Sequence, residues 1–430
     1  MIAASNLVKV PSMRKLGLLD GIMMGAGGMV GAAIFAYSGL TVSEAGYGAL
    51  LSWGLAAALM ATIAILYSEL ALRHPEEGAV ALFPYRAFGG RVGAFLSVLE
   101  GLGYYLGCLI GIAVSAIVMP QILGFGHWVP QLAILASTAI ALAGIRPASR
   151  ANLAMSLFMM AALAALASVE VAKGGARQVL DLARGVELVP VAMLGYGAWT
   201  AIVSAAGAFS DPRRTVPRAV LASIALTAAF YLLVVAGVAR TVPPGEVGLG
   251  AIAEAAGAAL GRWARGLVAS IAVVSILTTM LVLNLASALA LSALAEHGAL
   301  PGALRRSFRG SPTIPVAVTG LLALLFSSRP DLFYALTLVG AIAGTGLPYL
   351  VNVLAHMREF SGGRSPILGR ARIPVSALSL LALVLLEANL GLEEARGSAA
   401  ALLALVLLSW ILSRRWRHDT CPSSPSQPSS

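Results

Sequence analysis

One stretch decides the fold of this 430-residue chain: Gly25-Ala26-Gly27-Gly28-Met29-Val30-Gly31-Ala32-Ala33-Ile34-Phe35. It lies within the first long apolar run, residues 16–40, and places four glycines within seven residues. Glycine costs about 1 kcal/mol against alanine in a helix, and a helix broken inside a bilayer leaves backbone groups without partners. Such a break is tolerated where it faces protein or a watery cavity, and there its N–H and C=O groups become ligands. The alternative is that these small residues let a neighbouring helix pack closely.

The composition excludes a soluble domain. The chain is 59% hydrophobic and 11% charged with a mean hydropathy of +0.88, whereas soluble domains are about 25% charged. We therefore expect a polytopic membrane protein with the lipid bilayer as its surroundings. The net charge of +10 does not indicate a nucleic-acid partner, because loops between membrane spans explain it. Cys108 and Cys421 imply no disulfide framework, and no metal, cofactor, phosphate-loop or nucleophile motif is present.

Twelve apolar segments are predicted to span the membrane. They cover about residues 16–40, 49–72, 92–119, 128–145, 151–171, 189–209, 219–239, 266–294, 315–326, 332–356, 374–390 and 399–412. The loop before the eighth span has helical patterning at Ile252 to Leu260. We expect a terminal arm at 1–15, a first set of five spans at 16–171, a loop at 172–188 and a second set at 189–356. A loop at 357–373, two further spans at 374–412 and a Ser/Pro-rich, disordered tail at 413–430 complete the chain.

Basic residues predict the orientation. Of the 29 lysines and arginines, eight fall on the side without termini: Lys173, Arg177, Arg184, Arg240, Arg262, Arg265, Arg329 and Arg396. The other 21 share the side of both termini. The positive-inside rule therefore predicts that both termini are cytoplasmic, with the chain a multi-pass protein of the plasma membrane.

A second glycine-broken span repeats the pattern of the first. Span 6 contains Gly195-Tyr196-Gly197-Ala198-Trp199-Thr200 and follows the first broken span by five spans. Because five is odd, the second half must be inverted relative to the first. Interrupted helices in corresponding positions of two inverted halves point to a transporter with its substrate site near the midplane.

Four motifs resemble the amino acid–polyamine–organocation transporter family. They are the stretch at Gly27 to Phe35, Tyr67-Ser68-Glu69-Leu70-Ala71 with its following loop, Asp211-Pro212-Arg213-Arg214-Thr215-Val216-Pro217-Arg218-Ala219, and Glu296-His297-Gly298-Ala299-Leu300-Pro301. The resemblance covers most of residues 15–360. It implies an all-α membrane fold of about 12 helices, a five-plus-five inverted repeat (LeuT-type) with broken helices 1 and 6, and two peripheral helices.

The chain departs from the family pattern at three places. Ala32 and Ala33 stand where the family usually has a small residue and glycine, and the frequent acidic pair of span 6 is Gly207-Ala208. Some members couple transport to protons through a lysine in span 5. That position is Met159 here, which argues against proton coupling by that lysine.

The two breaks supply the predicted substrate site. We expect the substrate carboxylate at N–H groups of residues 28–33 and its amino group at carbonyls near Met29 and in residues 196–198. The substrate-binding residues are then Gly27, Gly28, Met29, Val30, Gly31, Ala32, Ala33, Leu194, Tyr196, Gly197, Ala198, Trp199 and Thr200. For Tyr196 and Trp199, packing against lipid or protein is the alternative to closing over a substrate.

Polar residues within the spans suggest how transport is coupled. Glu100, near the middle of span 3, is a candidate for proton coupling, with a structural hydrogen bond to a neighbouring helix as the alternative. Thr278 and Thr279 in span 8 could bind sodium together with span 1 carbonyls, or bond their own helix backbone. Glu69 is expected to pair with Arg73 at helical spacing, as a structural or gating pair.

These patterns predict a secondary active amino acid permease. The partners are an amino acid substrate and either a proton or a counter-substrate, with sodium as the alternative. Spans 1, 6 and 10 bring no acidic residue near either break, because Asp20 and Asp331 stand at span ends. Neutral, hydrophobic amino acids are therefore expected, unless Glu100 of span 3 points into the pocket. The alternatives are a cationic amino acid or polyamine transporter, and a membrane receptor or enzyme. An enzyme would need a polar cluster at membrane depth, which Glu100 alone does not supply.

Overall fold

The computed structural model describes residues 15–123, 128–176, 178–242, 250–388 and 392–417. Most of the basic arm (residues 1–14) and the tail from His418 onward lie outside these described residues. Within the described ranges the fold is all-α, apart from one two-stranded hairpin.

The first half of the chain forms ten α-helices. They are α1 Leu18–Met29, α2 Ala32–Ala45, α3 Ala49–Arg73, α4 Ala79–Phe88, α5 Gly90–Leu123, α6 Trp128–Leu142, α7 Ile145–Lys173, α8 Leu182–Glu187, α9 Val189–Met193 and α10 Thr200–Ser204. A 3₁₀ segment, Leu194–Trp199, joins α9 to α10, and another, Ala206–Ala208, follows α10.

The second half adds eight α-helices and the hairpin. The helices are α11 Pro212–Thr241, α12 Ala251–Leu260, α13 Trp263–Glu296, α14 Thr313–Ser327, α15 Phe333–Ala341, α16 Leu347–Glu359, α17 Arg372–Ala388 and α18 Leu392–Ser413. Strands β1 Ser307–Phe308 and β2 Ser311–Pro312 pair antiparallel before α14. Short 3₁₀ turns lie at Gly302–Arg305 and Pro330–Leu332, and a π-helical segment, Ile342–Gly346, joins α15 to α16.

The helices account for the predicted spans. Within the described residues, six helical segments are long and apolar enough to cross a membrane, and the pair α1 and α2, bent by 51°, makes a seventh. Five further predicted spans are apolar helices of 10–17 residues, shorter than the ~20 residues of an untilted span. The predicted helix at Ile252 to Leu260 is confirmed as α12. The division into two inverted sets of five spans, with its boundaries, stays a prediction.

Glycines let α1 approach its neighbours closely. A β-carbon on Gly21 would lie 2.8 Å from the Ala219 side chain, and one on Gly25 would lie 2.5 Å from the Ser223 hydroxyl. Both neighbours are on α11. Close helix packing by small residues, the alternative interpretation of the first stretch, therefore applies to this part of α1.

Backbone contacts define two faces of the molecule. The face that we call the terminus face is held together by the N–H of Leu16 bonded to Ala208 (3.0 Å) and the N–H of Gly78 bonded to Ser204 (2.7 Å). The last described residues, around Trp416, also pack there, on His297. The opposite face carries the turn at Gly46, which bridges to Leu180.

The predicted pair between Glu69 and Arg73 is not present. Glu69 is fully buried and its carboxylate contacts Nε2 of His356 at 2.6 Å, whereas the Arg73 side chain is 45% exposed and pairs with Glu359 at 2.9 Å. Helical spacing brings the two residues to one side of α3, but α16 supplies a closer partner to each. The result is one ion pair and one contact between a carboxylate and a histidine, which together join the ends of α3 and α16.

Candidate functional site

The first helix break lies between α1 and α2. Val30 and Gly31 leave helical geometry, with φ/ψ of −77°/75° and −123°/−138°. The first N–H groups of α2, from Ala32 onward, have no acceptor within their own helix, and the preceding Gly31 has no side chain to supply one. A helix N-terminus also carries partial positive charge. The break therefore offers hydrogen-bond donors suited to an anionic group.

The second break lies between α9 and α10. It consists of the 3₁₀ segment Leu194–Trp199, in which Tyr196 leaves helical geometry (φ −108°, ψ 15°). Its carbonyls are already contacted by side chains, because the hydroxyls of Thr200 and Tyr349 donate to the Gly197 carbonyl at 3.1 Å and 3.3 Å. A carbonyl oxygen has two lone pairs, so a ligand shares these acceptors with the side chains.

Tyr231 of α11 links the two breaks. Its hydroxyl lies 2.6 Å from the Met29 carbonyl of the first break and 3.0 Å from the Gly195 carbonyl of the second. The ring is fully buried and packs edge-on against Trp53. One side chain therefore fixes the spacing between the two irregular segments.

A cavity of about 940 Å³ lies beside both breaks. Its wall extends to Leu40 near the end of α2 and to Tyr334, which is 83% exposed, so the cavity opens on the opposite face. Ten of the sequence-predicted residues line it: Gly28, Met29, Gly31, Ala32, Ala33, Leu194, Gly197, Ala198, Thr200 and Thr279. Among the described residues that line this cavity, Asp331 at the exposed rim is the one charged residue, and it pairs with Arg329 at 2.8 Å.

Four other predicted substrate-binding residues lie outside the cavity wall. The Gly27 and Val30 carbonyls point at α13, where they accept hydrogen bonds from the hydroxyls of Thr278 (3.1 Å) and Ser275. Tyr196 is buried and donates to the Trp53 carbonyl at 3.2 Å. Trp199 is buried behind Tyr349. Local sequence shows that these residues flank a break, but not in which direction each side chain points.

Three aromatic rings close the cavity toward the terminus face. Trp199 stacks on Tyr349 with ring centroids 5.8 Å apart and planes at 11°. Tyr67 packs edge-on against both, at 5.1 Å and 5.8 Å. We call Tyr67, Trp199 and Tyr349 the aromatic floor. Because Tyr349 also lines the cavity, the floor is the boundary between the cavity and the terminus face.

Glu100 lies outside the cavity wall. Its side chain is fully buried on α5 and accepts a hydrogen bond from Nδ2 of Asn352 at 2.9 Å. The same amide nitrogen lies 3.1 Å from the hydroxyl of Tyr67. Glu100 is therefore joined to the aromatic floor through one residue of α16.

Thr278 and Thr279 gather oxygen atoms between α13 and the end of α1. The Thr278 hydroxyl lies 3.1 Å from the Gly27 carbonyl, and the Thr279 hydroxyl lies 2.9 Å from the Gly28 carbonyl. Neutral oxygen ligands from backbone and hydroxyl groups suit a hard monovalent cation. The Thr278 hydroxyl is also 2.6 Å from the carbonyl of Ser275 on its own helix, which is the alternative interpretation stated above. Among the described residues, no cluster of three His, Cys, Asp or Glu side chains suits a metal.

The cavity includes residues that the sequence analysis did not select. They include Tyr104, Gly107 and Cys108 of α5, Gly344 and Thr345 of the π-helical segment, and Tyr349 of α16. Helices α5 and α15–α16 approach so closely that a β-carbon on Gly107 would lie 2.3 Å from the Gly344 carbonyl. A signal was present, because Gly340, Gly344, Gly346 and Pro348 concentrate helix-breaking residues in one span as the first stretch does.

Sequence comparisons relate this chain to known transporters. A family model described as amino acid permease matches residues 16–411. An uncharacterised transporter of Mycobacterium tuberculosis is 28% identical over 411 residues, covering 90% of this chain and 89% of that protein. The branched-chain amino acid permease BcaP of Bacillus subtilis is 24% identical over 330 residues, covering 68% of this chain and 69% of that protein.

Among solved structures, a Na⁺-coupled sialic acid symporter in a substrate-bound outward-open state has the same fold. Its TM-score is 0.58 at 10% identity, and the match covers 86% of this chain and 89% of that one. At this level of identity the likeness concerns the fold alone. It confirms the predicted fold class, a LeuT-type arrangement of helices with breaks in the first and sixth spans.

Proposed function

Because the chain belongs to the amino acid permease family, we propose that this amino acid transporter moves neutral, hydrophobic amino acids across the plasma membrane by alternating access. It is a permease and not an enzyme. The single observation that supports this substrate class concerns the cavity wall. From the two breaks up to the rim, the described residues that line it have no charged side chain.

The substrate's backbone groups bind at the two breaks. The carboxylate accepts hydrogen bonds from the N–H groups at the start of α2, Ala32 and Ala33, where the helix dipole adds to the attraction. The ammonium group donates to the carbonyls of Met29 in the first break and Gly197 in the second. This arrangement is supported by the lining of the cavity, to which all four residues contribute.

The side chain of the substrate lies against small and apolar groups. Cys108 and Gly111 of α5, with Ala198 and Leu283, line that part of the cavity. A lysine or arginine side chain would be desolvated there without a countercharge, at a cost of several kcal/mol. The printed name of the Bacillus relative, a branched-chain amino acid permease, supports the same substrate class.

Coupling to a proton through Glu100, or exchange against a second amino acid, drives transport in this proposal. Glu100 is the buried carboxyl joined to the aromatic floor, so a change in its charge affects the boundary of the cavity. A sodium ion is the second candidate, supported by the oxygens that Thr278 and Thr279 bring to the carbonyls of Gly27 and Gly28. The solved structure with this fold is described as a Na⁺-coupled symporter.

Uptake into proteoliposomes tests the substrate class. Labelled leucine is the probe, and methionine, alanine and phenylalanine should compete with it, whereas arginine, lysine and polyamines should compete at least about tenfold more weakly, because one unpaired buried charge costs more than 1.4 kcal/mol. If arginine displaces the label better than leucine, the selectivity proposal is wrong, and a cationic amino acid transporter takes its place.

The same vesicles separate the coupling candidates. With the pH and sodium gradients imposed one at a time, Glu100→Gln should abolish uptake driven by a pH gradient. Thr278→Val with Thr279→Val should abolish stimulation by sodium, if there is any. Gradient-driven uptake that survives unchanged in Glu100→Gln would assign Glu100 a structural role.

A further inference from the structure

Glu100 and Asn352 form an incomplete hydrogen-bonded pair beneath the aromatic floor. Nδ2 of Asn352 donates to Oε1 of Glu100 at 2.9 Å, and both side chains are fully buried. Within the described residues, Oε2 of Glu100 and Oδ1 of Asn352 have no hydrogen-bond partner. Buried polar atoms are normally paired. Two unpaired acceptors on two side chains that already share one bond therefore suggest that a hydrogen atom belongs between them.

We propose that Asn352 is a positioning residue that responds to the protonation state of Glu100. When Glu100 is protonated, its Oε2–H donates to Oδ1 of Asn352 while Oε1 accepts from Nδ2, so acid and amide share two reciprocal hydrogen bonds. When the proton leaves to water, Oε2 and Oδ1 are two acceptors with no hydrogen between them. One bond is lost, and the pair weakens. The inference rests on the proposed function only in treating Glu100 as the site of proton binding.

Asn352 joins the pair to the aromatic floor. Its Nδ2 atom also lies 3.1 Å from the hydroxyl of Tyr67 and 3.1 Å from the carbonyl of Val80. Helices α3, α4, α5 and α16 therefore meet at one amide. Tyr67 in turn packs against Trp199 and Tyr349. A proton on Glu100 holds these helices together and keeps the floor closed, and its loss frees α16 to move away from α5.

Among the described residues, the groups that face Glu100 do not carry charge at neutral pH. Its titratable neighbours are Tyr67 from α3 and Cys108 from α5, and Tyr349 of α16 and Tyr104 of α5 lie next to Tyr67. Helix α4 contributes the carbonyl of Val80, and α13 contributes the apolar Leu294 against the backbone beside Glu100. Tyrosine and cysteine are ordinarily neutral at physiological pH. The charge beneath the floor therefore changes with Glu100.

A cysteine placed behind the floor tests the proposal. Ser204 of α10 is fully buried, does not line the cavity and lies at the contact with Gly78 on the terminus face. We would introduce Ser204→Cys into the full-length protein together with Cys108→Ser and Cys421→Ser, and measure its rate of alkylation by a small thiol reagent in detergent. The rate is divided at each pH by that of Tyr334→Cys, a reporter on the exposed rim.

The expected alkylation rates depend on whether Glu100 and Asn352 share two hydrogen bonds or one. The normalised rate should rise about tenfold between about pH 5 and about pH 8, the effect of one hydrogen bond to an ionisable group. Glu100→Gln should stay at the low-pH rate throughout, because glutamine donates to Oδ1 and accepts from Nδ2 as the protonated acid does. Asn352→Leu, which has neither donor nor acceptor, should give the high rate at every pH.

The double variant decides whether Asn352 is the responding group. In the Asn352→Leu background, adding Glu100→Gln should change the rate less than about twofold. An equal effect of Glu100→Gln in both backgrounds, or a wild-type rate that does not depend on pH, would overturn the proposal. The matched control is Asn284→Leu, a buried amide on α13 that donates to Thr138 at 3.1 Å and should leave the pH response unchanged. Alkylation needs no substrate, so this result stands or fails separately from the transport assay.

Discussion

Gly31 and Gly27 are two residues at the first break where the packing leaves no room for a side chain. A β-carbon on Gly31 would lie 2.1 Å from the Thr279 hydroxyl oxygen, and one on Gly27 would lie 1.9 Å from the Ser156 hydroxyl oxygen. Real β-carbons do not approach so closely, so either the neighbouring side chain or α1 itself must shift. The two neighbours sit on α13 and α7, which hold the end of α1 from two sides. Any shift of α1 displaces the N–H groups that we assign to the substrate carboxylate.

We therefore predict that Gly27→Val and Gly31→Val each abolish substrate binding while the protein still inserts into the membrane. The added side chains displace the first break by a distance that costs at least about tenfold in affinity. Binding of labelled leucine to purified protein measures the effect. Gly54→Val is the control, because a β-carbon at Gly54, on α3, has no neighbour within 4 Å. Unchanged affinity in both break variants would count against the assignment of the site.

At the scale of the element, the local sequence predicted the helices and their breaks, but it did not predict the directions in which side chains point. Glycine density predicted the irregular segments near Gly31 and Gly197, because backbone propensity is a local property. The partners of Glu69, Glu100 and Tyr196 come from residues more than 140 positions away. Such contacts depend on how helices pack and rotate, which one sequence does not specify.

Also at the scale of the element, the buried contact between Glu69 and His356 connects α3 to α16. Besides its 2.6 Å contact with His356, the Glu69 carboxylate accepts hydrogen bonds from the backbone N–H groups of Ile367 (2.6 Å) and Leu368 (2.8 Å). We predict that Glu69→Ala lowers the free energy of unfolding by about 3–5 kcal/mol, because it leaves buried donors without an acceptor.

Denaturation in detergent, followed by circular dichroism, measures that loss. The control is Glu76→Ala, which removes a partly exposed pair with Arg86 at 2.8 Å and should cost about 1 kcal/mol or less. Equal losses in the two variants would mean that the Glu69 contacts add nothing beyond an ordinary surface pair. A larger loss for Glu69→Ala would identify the ends of α3 and α16 as one cooperative unit of the terminus face.

At the scale of the whole molecule, the mouth of the cavity and the arginine-rich loops lie on opposite faces. The cavity opens on the face opposite to the termini, through a rim that includes Asp331 and Tyr334. The arginine-rich loops, among them the segment that contains Arg364 and Arg370, share the terminus face. Basic loops stay in the cytoplasm during membrane insertion. The open cavity is then expected to face the outside of the cell.

We predict that thiol labelling in intact cells reproduces this arrangement. In a background with Cys108→Ser and Cys421→Ser, Tyr334→Cys at the cavity rim should react with a membrane-impermeant reagent added outside. Arg364→Cys, exposed in the loop between α16 and α17, should react only after the cells are permeabilised. Replacing one of 21 basic residues on that side leaves the charge bias intact. The reverse labelling pattern would invert the orientation, so the cavity described here would open to the cytoplasm and the carboxylate site would load from inside the cell.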